Sequence, residues 1–304
     1  MAPSAPTDYL TVKEVADLLR LKERKVYDLV KEGRIPCLKV TGKWLFPKGQ
    51  VEHWLSSGRR ALDSAGAVPA ARPAAPAIVA GSRDPWLDWC IAQSGCGLAT
   101  MGGGSLTGLD AVLAGEALAA GIHLLDAASG GYNAPYLEGR GGTDGLVLLE
   151  WAKREQGLVL PPGNPKSVQG IADLARPDIR TALRPAEAGA HVLLLALLDR
   201  AGHGPQALTT DGTIQASGFE LGLAVLDGRA DTGLATRAVA RRLHLDFLPL
   251  AWERFDLLVG RRDYFEPPMQ TLLHFARGTA AVAKAKDLSG YDLTGHGSVR
   301  WNGA

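Results

Sequence analysis

The sequence predicts an α/β protein made of two parts of unequal size. In residues 9–56, two short amphipathic helices are followed by a basic hairpin. In residues 78–304, short apolar strands alternate with helices, which is the pattern of an α/β domain. Residues 57–77 are rich in Ala, Pro and Gly without apolar periodicity, so we expect a linker between the two parts.

The composition is that of a globular protein with an uneven distribution of charge. The chain has 304 residues, of which 46% are hydrophobic and 21% charged. Its net charge is +1, but residues 1–60 carry 12 Lys and Arg against 7 Asp and Glu, whereas the remainder carries 21 against 25. A basic first part on a mildly acidic body favours binding of that first part to a polyanion.

The cysteines and the termini predict a cytoplasmic protein. Cys37, Cys90 and Cys96 are odd in number and form no C-x-x-C pair, so we expect reduced thiols. The N-terminus shows no basic-then-apolar leader. No apolar run approaches the ~20 residues that a bilayer span requires, so we expect no membrane partner.

The N-terminal segment predicts a helix-turn-helix. Thr11 and Glu14 have the spacing of a capping box, in which each side chain accepts a hydrogen bond from the other's amide. After a tight turn at Arg20–Lys22, a second helix runs to about Lys31, and Gly33 ends it. The second helix of such a pair enters the major groove of DNA.

A wing and a closing helix are expected after these two helices. Ile35–Val40 and Lys43–Phe46 have the pattern of two strands joined by Thr41-Gly42, and Gln50–Leu55 that of a third helix. Two alternatives remain open at this point. The cations of the second helix form a merely solvated face, or the module contacts protein.

Residues 9–55 resemble the excisionase and MerR-type winged helix-turn-helix family. The resemblance is carried by LTVKEVADLL, by KVYDLVKEGRIP and by WLFP before a helix. It implies binding to double-stranded DNA through Lys22, Arg24, Lys25 and Tyr27 of the second helix and Lys39, Thr41 and Lys43 of the wing.

In the larger part, strands pass repeatedly through Gly or Ser turns into helices. Asp84 and Pro85 suit the cap and first position of a helix Trp86–Gln93, and Gly102–Ser105 precedes a helix Leu106–Ala120. Strands are predicted at Ile78–Gly81, Gly97–Met101, Ile122–Leu125, Leu146–Leu149, Gly157–Leu160, Ile179–Leu183, Ala230–Ala235, Phe247–Leu250 and Phe255–Val259, and further helices at His191–Arg200 and Phe219–Asp227. Helix N-termini after such turns attract anions, because their amides are unpaired.

Residues 78–302 resemble the type II periplasmic-binding-protein-like domain of one-component transcriptional regulators, a relative of molybdate- and phosphate-type solute-binding proteins. VAGSRDPWLDW, LATMGGGSLTGLDAVLAGEALAAGIHLLD and LGLAVLDGRADTGLATRAVAR carry the resemblance. It implies two α/β lobes, with LVLLEWAKREQGLVLPPGNP and ERFDLLVGRRDYF as the crossovers and a ligand in the cleft. The implied ligand-binding residues are Ser82, Arg83 and Ser105 in the first lobe and Arg184, Gly189, Phe219 and Thr236 in the second.

Two departures from the family pattern leave the identity of the ligand open. Arg83 stands where solute-binding relatives often have His, and Thr236 stands where molybdate binders place Tyr. Two plainer roles are also open, because Ser82 suits a cap of its own helix and Arg184 suits a surface ion pair.

Nothing in the sequence forms a catalytic constellation. There is no H-E-x-x-H, and Ser105 lacks the second Gly of G-x-S-x-G because Thr107 stands there. The seven histidines are scattered. We therefore expect no enzyme, no cofactor and no metal.

Taken together, the sequence predicts a homodimeric DNA-binding transcriptional regulator that senses a small ligand. An oxyanion such as molybdate or tungstate suits the donor-rich turns. Two alternatives stay open: a C-terminal domain that is only a dimerisation scaffold, and an enzyme of the same two-lobed fold.

Overall fold

The computed structural model describes residues 9–19, 21–31, 35, 37–40, 43–48, 51, 75–138 and 140–303. The chain divides into two compact units, residues 1–73 and 74–304. Within the described ranges, no helix is both long and apolar enough to span a bilayer. Cys37, Cys90 and Cys96 are free.

The smaller unit contains the two predicted helices and a three-stranded antiparallel sheet. Its elements are β1 (Tyr9–Thr11), α1 (Val12–Leu19), α2 (Glu23–Lys31), β2 (Leu38–Val40) and β3 (Lys43–Pro47). The capping box is confirmed: the Thr11 amide donates to Glu14 Oε2 at 2.7 Å, and the Glu14 amide donates to Thr11 Oγ1 at 3.4 Å.

A small apolar core holds this unit together. Val15 and Ala16 of α1 pack with Val26 and Leu29 of α2 and with Phe46 of β3. The predicted hairpin is confirmed, because β2 pairs antiparallel with β3. The sequence analysis missed β1, which pairs with the other side of β3. The predicted tail, most of the linker, Gly33 and most of the predicted third helix lie outside the described residues.

The larger unit is built on one nine-stranded sheet. Its strands are β4 (Ile78–Gly81), β5 (Ala99–Gly102), β6 (Ala119–Ile122), β7 (Leu146–Leu160), β8 (Thr181–Ala182), β9 (Thr232–Thr236), β10 (Asp246–Gly260), β11 (Tyr291–Asp292) and β12 (Val299–Asn302). They are arranged in the order β5-β4-β6-β10-β7-β9-β8, and β11 and β12 pair with β7.

Helices follow the strands along the chain. They are α3 (Pro85–Ser94), α4 (Ser105–Ala114), α5 (Ala134–Leu137), α6 (Gly189–Arg200), α7 (Gly218–Leu226), α8 (Arg237–Leu243), α9 (Pro267–Ala276) and α10 (Thr279–Leu288). Strands β4, β5 and β6 form the parallel part of a first lobe, and β8 and β9 form the parallel part of a second.

Two long strands connect the lobes. β7 and β10 pair antiparallel along their whole length. At one end, β10 pairs with β6 of the first lobe. At the other end, β7 pairs with β9 of the second lobe. Separate apolar cores lie in the two lobes, one around Trp86 and Trp151 and one around Leu158 and Leu194. The predicted α/β fold of two lobes joined by crossover strands is confirmed.

Several predicted boundaries were wrong. The helix predicted to reach Ala120 ends at Ala114, because Gly115 takes the left-handed conformation with φ 75° and caps it. The third strand lies at Ala119–Ile122 rather than Ile122–Leu125, since its small residues pack closely on both faces.

The two crossovers were each predicted as two short strands but are single strands of 15 residues. In the structure, Arg154 of β7 and Glu253 of β10, in the middles of the two strands, pair with each other, so the buried polar stretch of each strand has a partner across the sheet.

Candidate functional site

A cavity of about 610 Å³ lies between the two lobes of the larger unit. On the first-lobe side it is lined where β4 and β5 end, by Ser82 and Gly102 among others. On the second-lobe side it is lined by Thr236, where β9 ends. Ligands of open α/β sheets bind at such carboxyl ends of strands, and the volume is typical of small-molecule sites.

Two serine hydroxyls form a buried chain of hydrogen bonds behind the first-lobe wall. The His123 amide donates to Ser105 Oγ at 3.1 Å, and Ser105 Oγ lies 2.9 Å from Ser82 Oγ. Ser105 is fully buried, so its own proton needs an acceptor, and Ser82 Oγ is the one within reach. The Ser82 proton is then free to be donated into the cavity.

The turn after β4 brings the chain close to its neighbours. Gly81 has φ +87°, and a Cβ there would lie 2.7 Å from the Gly121 carbonyl oxygen. Asp84 caps α3 by accepting from the Leu87 amide at 2.8 Å, and Pro85 follows at the first helical position, as predicted. Ser82 therefore does not cap that helix.

The floor of the cleft is a buried ionic network. Arg154, which is 2% exposed, donates through Nε to Glu253 Oε1 at 2.8 Å and through Nη1 to Asp84 Oδ2 at 3.2 Å. Its guanidinium also lies over the Phe255 ring, 4.1 Å from the centroid. His123 Nδ1 lies 2.8 Å from Glu253 Oε2. The network therefore joins β7 and β10 to the first lobe.

The pKa values of Glu253 and His123 are both lower than usual, which favours an ionised carboxylate and a neutral imidazole. Burial by itself raises the pKa of Glu253, but Arg154 and His123 outweigh it and lower that pKa to about 2. Burial lowers the pKa of His123, although Glu253 opposes this shift. Because ionised Glu253 can only accept, His123 Nδ1 carries the proton towards it, and Nε2 is the nitrogen left for a ligand.

The second-lobe wall supplies a cation and a capped helix. Arg184 lines the cavity, donates to the Ala216 carbonyl at 3.1 Å, and has a buried Nε without a partner among the described residues. Burial lowers its pKa. Ser217 caps α7, accepting from the Glu220 amide at 3.1 Å, and Phe219 follows with 38% exposure.

Three helices of eight or more residues begin at or beside the cavity: Gly218 of α7 lines it directly, Gly103 precedes the start of α4, and Ala188 and Ala190 flank the start of α6. Pro85 of α3 also lines the cavity, but it has no N–H, and the Leu87 amide already donates to Asp84. The first amides of the other three helices have no partner within the helix and carry partial positive charge. The cleft is therefore rich in donors and suited to an anion.

Five of the seven predicted ligand residues line the cavity: Ser82, Arg83, Arg184, Phe219 and Thr236. Arg83 is bound at 3.0 Å to Asp88, with which it shares the cavity wall. Ser105 and Gly189 lie buried behind the wall, Ser105 against Ser82 and Gly189 against His123. Within the described residues, Arg184 forms no ion pair, and its side chain donates to the Ala216 carbonyl instead.

The sequence analysis missed three polar residues of the floor, which are His123, Arg154 and Gln156. His123 directly follows the apolar strand β6, and Arg154 and Gln156 belong to the polar run 153–156 in the middle of the otherwise apolar β7. Their position in or beside buried strands was the available signal, since a buried charge requires a partner. Within the described ranges, no group of three or more His, Cys, Asp or Glu is arranged to hold a metal ion.

The four residues predicted to bind DNA in and beside α2 are exposed. In and just before α2, Lys22, Arg24, Lys25 and Tyr27 are exposed, while Val26 is buried. Lys39 lies on β2 and Lys43 on β3. Thr41 lies outside the described residues.

These observations define the class of protein: a helix-turn-helix segment together with a two-lobed ligand-binding domain. The chain belongs to the PBP superfamily, because the family model described as "PBP superfamily domain" matches residues 91–277. A model described as "Helix-turn-helix domain" matches residues 9–59. The protein is thus a DNA-binding regulator with a ligand-binding domain, a composition typical of a regulator rather than an enzyme.

The chain is also similar to two individual proteins. The uncharacterized protein YvgK of Bacillus subtilis (strain 168) is 29% identical over 301 residues, covering 95% of this chain and 97% of that protein. The sulfate-binding protein SubI from Mycobacterium tuberculosis H37Rv has a TM-score of 0.50 at 18% identity, covering 70% of this chain and 84% of its own. The latter likeness shows the fold of the larger unit.

The ionic floor predicts an acid-dependent loss of stability. Glu253 has an ordinary pKa of 4.5 when unfolded and about 2 when folded. Its contribution is therefore complete above about pH 5 and is lost as the pH falls towards 2. We expect Glu253→Gln to lower the free energy of unfolding by about 3 kcal/mol at pH 7, because it leaves Arg154 without a full partner. The deficit relative to wild type should shrink between pH 5 and pH 3.

Urea unfolding of both proteins across this pH range measures the effect. Glu266→Gln is the matched control, since Glu266 is exposed, and we expect it to stay within about 0.5 kcal/mol of wild type. A deficit for Glu253→Gln that stays constant from pH 7 to pH 3 would contradict the ionised, paired state of Glu253.

Proposed function

We propose that the cleft binds a small oxyanion, with molybdate and tungstate among the candidates, and that this binding controls attachment of a homodimer to double-stranded DNA. The single observation that carries the proposal is the convergence of anion donors on one cavity. The Ser82 hydroxyl, the Arg184 guanidinium and the starts of three helices, α4, α6 and α7, line the cavity or adjoin residues that line it.

Such a site favours an anion because its donors are fixed before the ligand arrives. Helix N-termini and oriented hydroxyls need little reorganisation to bind a tetrahedral anion. Arg184 adds charge, while Arg154 is already neutralised by Glu253 and Asp84. The network behind the wall holds Ser82 and His123 in place, so the donors keep their directions.

Regulation would follow from closure of the lobes. The ligand touches residues of both lobes, so it binds the closed state better than an open one. A ligand shifts a conformational equilibrium only by such a difference in affinity. In a dimer, closure would change the spacing of the two DNA-binding segments, and with it the fit to a two-fold operator.

An organic anion is the second candidate. The cavity of about 610 Å³ is large for one tetrahedral ion. Phe219 also offers an exposed ring, over which the Arg242 guanidinium lies at 5.2 Å. These two features suit an apolar part of a larger ligand.

The DNA-binding assignment predicts a strong dependence on salt. The double variant Arg24→Ala, Lys25→Ala removes two exposed cations from α2, so we expect weaker operator binding at every salt concentration. The slope of log affinity against log salt should fall by about 2 for each module bound, if both residues contact phosphates. Fluorescence anisotropy on a selected operator measures both quantities.

The matched control for this experiment is the double variant Arg262→Ala, Lys286→Ala, which removes two exposed cations from the larger unit. It should bind DNA as wild type does. An unchanged affinity and slope in the Arg24, Lys25 variant would show that α2 is not the recognition helix.

The homodimer is tested by sedimentation of the protein alone and bound to its operator. A single winged module buries a small interface with DNA, so two modules on a two-fold site are expected to gain the needed affinity. We expect two chains per operator. One chain per operator, with monomers in free solution, would reject the dimer.

Oxyanion binding is tested by calorimetry with molybdate, tungstate, sulfate and phosphate. We expect at least one of them to bind wild type, and its affinity to fall about tenfold or more in Ser82→Ala, Ser105→Ala, because a hydrogen bond to a charged group is lost. Ser298→Ala removes an exposed hydroxyl that is not among the lining residues and serves as the control.

Two outcomes would count against this site. Binding that is equally strong in the double serine variant would place the oxyanion elsewhere. If none of the four anions binds wild type, the ligand is not one of these oxyanions. If organic anions also fail to raise the melting temperature, the alternative of a dimerisation scaffold without a ligand is favoured.

A further inference from the structure

Two buried polar side chains face each other across β7 and β9 at the cavity. Gln156 of β7 pairs in register with Thr236 of β9. Side chains of directly opposed residues lie on the same face of a sheet, with their Cβ atoms about 5 Å apart. Both residues line the cavity.

Each of these side chains is left with an unsatisfied atom. Gln156 is 2% exposed and Thr236 is 8% exposed. Within the described part of the chain, Gln156 Oε1 and Thr236 Oγ1 have no hydrogen-bond partner. A buried polar atom without a partner is destabilising, so a group that satisfies both atoms would gain affinity here.

The orientation of the Gln156 amide follows from its other neighbour. The Gln156 side chain is among the groups that lower the pKa of Glu253, as a donor to that carboxylate does. Glu253 is ionised and can only accept, so we infer that the NH₂ group of Gln156 is directed at it. The Oε1 atom, which is buried without a partner among the described residues, is consequently the acceptor left for another group.

Thr236 has the complementary property of donating as well as accepting. It precedes α8 but makes no side-chain hydrogen bond to that helix. Its hydroxyl is therefore available to donate to a ligand atom.

A ligand group that binds both Gln156 Oε1 and the Thr236 hydroxyl must donate a hydrogen bond to the first and accept one from the second. The hydroxyl group of an alcohol or of an acid can do both. An ammonium group only donates, and it would also lie close to Arg154 and Arg184, which line the same cavity. A fully ionised oxygen only accepts, so it would face Gln156 Oε1 with no proton between them.

We propose that Gln156 and Thr236 form a hydroxyl-binding subsite, and that the ligand is an anion that keeps a hydroxyl group at neutral pH. This inference rests on the proposed anion-binding function and narrows its ligand class. A hydrogen-bearing tetrahedral oxyanion and a hydroxyl-bearing organic acid share this chemistry. Fully ionised anions, including sulfate, molybdate and tungstate, lack it and should bind more weakly.

The test compares pairs of probes that differ in the hydroxyl. Inorganic phosphate is paired with sulfate at pH 7, and glycerate is paired with propionate. Calorimetry on wild type should show a preference of about tenfold or more for the hydroxyl-bearing member of at least one pair. The pair that shows it distinguishes an inorganic from an organic source.

Variants then assign the preference to the two residues. Gln156→Met removes the acceptor at similar volume, and Thr236→Val removes the hydroxyl at similar shape. In each, the affinity ratio within the preferred pair should fall towards one, whereas loss of structure alone would weaken both members equally. Thr279→Val, at an exposed threonine, should leave the ratio unchanged. If Gln156→Met does not fold, Thr236→Val carries the same measurement.

The outcomes separate this inference from the proposed function. Sulfate, molybdate or tungstate binding wild type as tightly as phosphate and glycerate would overturn the hydroxyl subsite and leave the anion cleft standing. An unchanged ratio in Thr236→Val and in folded Gln156→Met would do the same. No binding of any probe to wild type would overturn the proposed function itself, and the inference with it.

Discussion

The arrangement of the larger unit depends on one buried guanidinium. Arg154 stands in the middle of β7, where the sheet passes from one lobe to the other, and it bonds to Glu253 of β10 and to Asp84 at the start of α3. Three charged groups in a nearly dry interior are costly to desolvate, and they are tolerated only when their geometry is well matched. This requirement fixes the crossing of the two long strands relative to the first lobe.

The positions of the polar side chains in the cleft depend on that network. Glu253 holds His123, the His123 amide holds Ser105, and Ser105 holds Ser82, which faces the cavity. On the other side, the Tyr291 hydroxyl donates to Asp84 at 2.7 Å, so the C-terminal segment also anchors the network. A ligand in the cavity therefore meets donors whose directions are set by contacts several residues away, which limits the entropy lost on binding.

The same network suits the hinge of a regulator. β7 and β10 run unbroken through both lobes, so a change in the angle between the lobes must be taken up near the residues that pair there. Two irregularities in the pairing of β10 with β7 flank this region, one between Pro249 and Ala251 and one between Phe255 and Asp256. Such bulges bend and twist a strand locally. In the proposed mechanism, the bound ligand and the bending between the lobes would therefore meet in one short stretch of sheet.

The sequence alone determined the two-part organisation and much of the local structure. The Thr11–Glu14 box, the Asp84 cap and the first strand, Ile78–Gly81, depend on residues close to one another in the chain, and local chemistry is sufficient to specify them. The resemblance to periplasmic-binding-protein-like domains also implied Ser82, Arg184 and Thr236 as ligand residues.

Tertiary structure decided what local patterns could not. Gln156, Glu253 and His123 are far apart in the sequence and meet because β10 pairs with β7 on one side and with β6 on the other. The crossovers were predicted as separate short strands, yet each is one continuous strand, and Arg154 and Glu253 in their middles pair with each other across the sheet. The partner of a buried charge lies about a hundred residues away in this chain, and only the folded sheet brings it within hydrogen-bonding distance.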